Sequence, residues 1–168
     1  MTKPRFLSIA VLLALLVGLV AQSGLASAET SNMLKSDSMV GVPQALTGAT
    51  NAIRGIPGGG IPWMLDSGKV VLTTDGHLTV KVEGLVLAAG PNAGNNPVNP
   101  FRAIVSCLAS DASVQNLQTA TFPATTGLAS AGGGNARFEG DLVLPDPCIA
   151  PIVFVASGGG SWFASTGG

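Results

Sequence analysis

His77 is the one histidine of this 168-residue chain, so a general base or an imidazole ligand at neutral pH would have to be His77. It directly follows the turn sequence Thr74-Asp75-Gly76, where an exposed histidine without a chemical role is the ordinary alternative. No Gly-x-Ser-x-Gly sequence accompanies it, and Ser161, which follows three glycines, lacks the glycine that should come after it. The sequence therefore gives a serine hydrolase little support.

Glu139 and Asp141 stand two residues apart in the stretch 137–144 (RFEGDLVL), whose alternation predicts a strand with both carboxylates on one face. Paired carboxylates of this kind bind calcium or act as the acid and base of a glycosidase. They also occur on the solvated face of many strands, and Arg137 is available here as an ion-pair partner. We name Glu139 and Asp141 as candidate calcium ligands and predict no resident cofactor.

Trp63 and Trp162 are the side chains suited to stacking on a sugar ring. Together with His77 they are the candidate ligand-binding residues. The alternative for both is burial in the core, which is the common fate of an isolated tryptophan in a small β-domain.

Cys107 and Cys148 are the two cysteines, and each lies in or beside an apolar run, 101–108 (FRAIVSCL) and 148–155 (CIAPIVFV). We predict that the runs are neighbouring core strands joined by a Cys107–Cys148 disulfide. In the chain-entropy account, closing such a loop stabilises a fold by roughly 4 kcal/mol. A zinc site is the weaker alternative, because two cysteines and one histidine fall short of four ligands.

The first 28 residues have the pattern of a secretory signal peptide. Lys3 and Arg5 precede the apolar stretch 6–20, and Ala26-Ser27-Ala28 is a small-residue cleavage site. An uncleaved anchor is the alternative, but the stretch is shorter than the roughly 20 residues that a spanning helix needs. We therefore expect a secreted, extracellular protein without stable membrane insertion after cleavage, a pattern typical of small secreted bacterial proteins. The cysteines agree, since disulfides persist in oxidising compartments.

After cleavage, six basic and nine acidic residues leave a net charge of −3. This balance argues against nucleic acid as a partner, because phosphate binding needs clustered positive charge. Only 10% of the residues are charged, whereas 23 are glycine and 11 are proline. Such a composition favours a β-rich extracellular domain over a helical one.

The clearest local pattern is a hairpin over 69–87, with a three-residue loop and Gly76 in the left-handed conformation. We predict the register that pairs Leu72 with Leu78 and Val70 with Val80, because it puts the apolar side chains on one face. Residues 29–50 lack a sustained period and are predicted to be a flexible spacer. Residues 51–168 are predicted to form an all-β, single-domain antiparallel sandwich of about eight strands, immunoglobulin-like or another Greek key.

These features predict a non-enzymatic extracellular role, in cell-envelope association, adhesion or binding of a protein or cell-surface partner. Two alternatives stay open at this point. One is a small-ligand or glycan-binding module, with calcium at Glu139 and Asp141. The other, ranked last, is a secreted hydrolase with an unfamiliar site.

Overall fold

The structure is a computed structural model that describes residues 30–167; the predicted signal peptide, residues 1–28, lies outside this range. Short strands dominate it, with two single-turn 3-10 helices at Gln44–Leu46 and Ala129–Ala131. No helix of the described residues is long and apolar enough to span a bilayer. The strands are β1 (Asn32–Ser36), β2 (Val40–Gly41), β3 (Gly48–Ile53), β4 (Ile56–Gly58), β5 (Trp63–Met64), β6 (Ser67–Thr73), β7 (His77–Glu83), β8 (Val86–Leu87), β9 (Asn95–Asn96), β10 (Phe101–Leu108), β11 (Val114–Gln118), β12 (Gly127–Leu128), β13 (Ala136–Asp141), β14 (Ile149–Ser157) and β15 (Trp162–Ser165).

Four antiparallel strands, in the order β1-β6-β7-β13, form the first sheet, called sheet A. Its centre is the predicted hairpin, and the register is confirmed, since Leu72 pairs with Leu78 and Val70 with Val80. One face of the hairpin is buried and the other carries polar side chains. The buried side chains are Val70, Leu72, Leu78, Val80 and Val82.

Gly76 closes the hairpin with a φ of 91°, as its left-handed position requires. A Cβ at this position would lie 2.0 Å from the carbonyl oxygen of Leu142. The Leu142 amide in turn donates to the Gly76 carbonyl at 3.0 Å. The hairpin tip is therefore held against the segment that follows β13, and a side chain at Gly76 would separate them.

The second sheet, sheet B, has the order β11-β10-β14-β15-β4-β3, with β2 paired to β15. The β15–β4 pair is parallel and the other pairs are antiparallel. Most residues of β10, β14 and β15 are buried whichever face of the sheet they point to. The centre of this sheet is therefore covered on both sides, as the apolar runs at 101–108 and 148–155 predict, whereas its outer strands β3 and β11 are mostly exposed.

The predicted disulfide between Cys107 and Cys148 is confirmed. It joins β10 to the residue that precedes β14, the neighbouring strand of the same sheet. Its position thus differs from that of the bond in antibody domains, which joins two sheets. The register of β10 against β14 shifts between Ser106 and Leu108, so the disulfide lies at a β-bulge.

Arg54 covers this bulge from the far edge of the same sheet. Its guanidinium donates to the carbonyl oxygens of Ser106 and Ala150, both at 2.8 Å. Its own carbonyl accepts a hydrogen bond from the Asn116 side chain in β11. Arg54 follows β3, at the opposite end of the strand order from β11, and these side-chain contacts hold the residue after β3 against β10, β11 and the start of β14.

Two further sheets have two strands each, β5 with β8 and β9 with β12. Buried apolar side chains of sheet A, sheet B and the β5–β8 pair form one cluster, which is the hydrophobic core. The fold is all-β with antiparallel sheets and a disulfide, as predicted, and is consistent with a β-sandwich. The described residues form fifteen strands, seven of them only two to four residues long, where the sequence predicted about eight.

The predicted flexible spacer, 29–50, is corrected for the residues that the structure describes. Within it, β1 pairs with β6 and β2 pairs with β15, so both sheets recruit strands from this segment. The predicted domain boundary at residue 51 therefore falls inside β3. The strand β4 includes Pro57 and Gly58, and a Cβ at Gly58 would lie 2.0 Å from the Leu46 carbonyl oxygen, which explains the glycine.

Candidate functional site

The candidate site lies on the solvent face of sheet A, where His77 begins β7 directly after the hairpin turn. The antiparallel register of β7 and β13 places Asp141 opposite His77. The Nδ1 atom of His77 lies 2.7 Å from Oδ1 of Asp141, which is hydrogen-bonding distance. The structure thus brings together a histidine and an acid that the sequence named as candidates for separate sites.

Glu139 flanks the other side of the imidazole. It lies on the same face of β13 as Asp141, and its Oε1 is 3.7 Å from His77 Nε2. Its Oε2 accepts a hydrogen bond of 2.8 Å from the Arg137 guanidinium. The four side chains of Arg137, Glu139, His77 and Asp141 therefore form a chain of alternating charge across the β7–β13 pair when the histidine is protonated.

This arrangement shifts the pKa values of His77 and Glu139. The hydrogen bond to Asp141 raises the pKa of His77 above its ordinary value of 6.5; desolvation opposes this effect, and the charges of Asp141, Glu139 and Asp75 add to it. The Arg137 guanidinium lowers the pKa of the Glu139 carboxyl. All the groups are partly exposed, so solvent screens these interactions.

A histidine with an acid at Nδ1 supplies two of the three members of a serine-histidine-acid triad. In the described residues, however, the imidazole Nε2 faces Glu139 instead of a hydroxyl group. Ser161, the nearest sequence match to a nucleophile elbow, lies in the turn between β14 and β15 of the other sheet. The geometry therefore suits an ion-pair network better than acyl transfer.

Calcium binding at Glu139 and Asp141 finds no support in this geometry. Their carboxylates share a face, as predicted, but Glu139 is bound to Arg137 and Asp141 to His77. Within residues 30–167, no group of three or more His, Cys, Asp or Glu side chains is arranged to hold a metal ion. Glu139 and Asp141 are thus the two acidic members of the ion-pair network with Arg137 and His77.

The two tryptophans are buried, which corrects their assignment as ligand-binding residues. Trp63 is 5% exposed and stacks on Phe163, with 4.0 Å between ring centroids. Trp162 is 1% exposed and packs beside Phe154. Neither indole presents a face to solvent on which a sugar ring could stack, so both belong to the core.

A groove of about 550 Å³ adjoins the polar cluster, and the sequence did not predict it. Its lining combines carboxylates of Asp75, Asp141 and Asp146 with apolar side chains of Met33, Leu142 and Leu144. Val143, also part of the lining, is 89% exposed. The alternation in 137–144, which puts Glu139 and Asp141 on the solvent face, contains a signal for the exposure of Val143, because residue 143 continues the same alternation.

The N-terminal end of the described chain forms part of the same rim. Ser31 donates its backbone N–H to the Thr74 hydroxyl, and the Thr74 amide donates to the Ser31 carbonyl at 2.9 Å. The Thr73 hydroxyl hydrogen-bonds to Asp75 and lowers the pKa of that carboxyl. Asp75 is therefore held in its charged form at the groove.

No protein-family model, no curated protein and no solved structure matches this chain.

Proposed function

We propose that this chain is a non-enzymatic extracellular protein that binds a partner protein through the groove beside the hairpin tip. The observation that carries this proposal is the composition of the groove, which joins three acidic residues to an apolar lining and an almost fully exposed Val143. Apolar side chains that are grouped together and rimmed by polar ones are a feature of interaction sites, and Val143 extends the apolar group of Met33, Leu142 and Leu144. The sequence expectation of partner binding supplies the class of function, and the groove supplies a place for it.

The lining also indicates the chemistry of the partner. Asp75, Asp141 and Asp146 would attract a segment with lysine or arginine side chains. Met33, Leu142 and Leu144 would contact aliphatic side chains of the same segment. Because the carboxylates lie at an open surface, they would contribute more to association rate and selectivity than to affinity.

An extracellular location is part of the proposal. It is supported by the signal-peptide pattern of residues 1–28 and by the Cys107–Cys148 disulfide, which an oxidising compartment would preserve. A partner in cell-envelope association or adhesion would meet the groove in that compartment.

Binding of defined synthetic peptides tests the proposal. We expect the chain from residue 29 to bind extended peptides of alternating lysine and leucine, to ignore matched glutamate and leucine peptides, and to bind less as salt increases. Val143→Asp and Asp146→Lys should each weaken binding by about tenfold. Asp37→Lys is the matched control, because Asp37 is an exposed acid that does not line the groove.

Equal binding of cationic and anionic peptides would overturn the proposal, as would equal losses in Asp146→Lys and Asp37→Lys. The non-enzymatic part has a separate test, in which the chain is incubated with generic ester, peptide and glycoside substrates. Turnover that disappears in His77→Ala or Asp141→Ala would show that the protein is an enzyme.

A further inference from the structure

The edge strand β11 is a second candidate interaction surface, independent of the groove. It forms one edge of sheet B and pairs with β10 alone. Four of its five residues are exposed, and none of the five, VQNLQ, is charged. An edge strand with these properties is open to pairing with another strand.

The backbone groups that β11 leaves free can be identified from its neighbours. The Ala109 amide donates to the Ser113 carbonyl, and the Thr119 amide donates to the Ala103 carbonyl. Residues 113 and 119 therefore direct their backbone groups toward β10, as do residues 115 and 117 between them. Because the direction alternates along a strand, residues 114, 116 and 118 direct their N–H and C=O groups away from the sheet.

The other three edges of sheets A and B are less suited to pairing. The two edge strands of sheet A are charged, since β1 carries Lys35 and β13 carries Arg137, Glu139 and Asp141. β3 is uncharged, but its register against β4 shifts between residues 48 and 53, so it presents an irregular edge. β11 pairs with β10 over five residues without a shift. Charges and bulges are the features that protect edges, and β11 lacks both.

We propose that β11 pairs with β11 of a second copy of this chain, antiparallel and centred on Asn116. In this register Asn116 lies opposite its counterpart and Val114 lies opposite Gln118, which allows about six new backbone hydrogen bonds. The uncharged strand places no like charges opposite each other.

The flanking charges favour the antiparallel arrangement. Asp111 precedes β11, and the Arg102 side chain hydrogen-bonds to Gln118 at its far end. Antiparallel pairing brings the Asp111 end of one copy toward the Arg102 end of the other. An apolar row also continues to this edge, since Val114 and Ile149 are both cross-strand partners of Leu108 and are 42% and 46% exposed.

Sedimentation measured over about a hundredfold range of protein concentration tests this proposal. An interface of one short strand is small, so we expect a reversible dimer with micromolar to millimolar affinity. Asn116→Pro should abolish the dimer, because it removes a central backbone N–H that donates to the second copy. The variant should still fold, because this N–H faces away from β10 and an edge strand tolerates proline. Asn116→Ala is the matched control, since it removes the side-chain bond to Arg54 but retains the backbone donor.

A charge pair keeps the test decisive if the proline variant does not fold. Asn116→Lys and Asn116→Asp should each be monomeric alone, and an equimolar mixture should form heterodimers. A chain that stays monomeric at every concentration would overturn the proposal. So would a dimer that survives Asn116→Pro, or a mixture that does not associate. None of these outcomes depends on peptide binding in the groove.

Discussion

Sheet A and sheet B use their two faces differently. Sheet A buries the hairpin side chains on one face and exposes the network of Arg137, Glu139, His77 and Asp141 on the other. Sheet B is covered on both faces at its centre and contains the disulfide and the Arg54 contacts. The titratable groups and the groove therefore belong to the sheet with a solvated face, whereas the sheet with the doubly buried centre contains the covalent bond.

The largest expected effect is on sheet B. Replacing both cysteines, as Cys107→Ala with Cys148→Ala, should lower the free energy of unfolding by about 4 kcal/mol, because the bond closes a loop of 41 residues. Urea unfolding followed by tryptophan fluorescence measures this change, since both indoles are buried. A loss below about 1 kcal/mol would show that the disulfide adds little to the strand pairing around it.

A smaller loss of stability is expected when the Arg54 hydrogen bonds in sheet B are removed. Arg54→Met should cost about 2 kcal/mol, because the Ser106 and Ala150 carbonyls lose their donors at the bulge. Arg137→Met is the matched control in sheet A and should change the stability by less than about 0.5 kcal/mol, since the Arg137–Glu139 pair is exposed. Equal losses in the two variants would contradict the difference between the sheets.

The smallest effect concerns the solvated face of sheet A and depends on pH. Because folding raises the pKa of His77, its ion pair contributes stability that is fully present below pH 6.5 and is lost as the pH rises through the raised value. The melting temperature of the parent chain should exceed that of His77→Gln most at mildly acidic pH, and the difference should shrink at higher pH.

Nuclear magnetic resonance checks the cause directly, because the chain has a single histidine. We expect Asp141→Asn to lower the pKa of His77 toward its ordinary value. Lys81→Gln is the control, since Lys81 pairs with Glu83 and not with the imidazole. A pKa of His77 that is the same with and without Asp141 would contradict the ion-pair network.

Local patterns were sufficient to predict the hairpin register and the disulfide. The register follows from where the apolar residues between 70 and 82 can be buried together, and the disulfide follows from two cysteines in apolar runs. The pairing of β1 could not be predicted in this way, because the stretch NMLKS has no alternation of apolar and polar residues. As an edge strand that pairs with β6 alone, β1 is only partly buried.

The sequence identified the residues of the candidate site but not their proximity. His77 and Asp141 are 64 residues apart, so only the pairing of β7 with β13 brings them within 2.7 Å. The burial of Trp63 likewise depends on Phe163, about a hundred residues later in the chain. Arg54 at the bulge has no local signal at all, since its partners are backbone carbonyls, which every residue possesses.

The position of the disulfide also affects the order in which the fold can assemble. The covalent loop between Cys107 and Cys148 contains β13, a strand of the other sheet. Oxidation before β13 docks would confine it to a short tethered segment and reduce the entropy lost when it pairs with β7. Early oxidation should therefore speed completion of the sheet that contains neither cysteine.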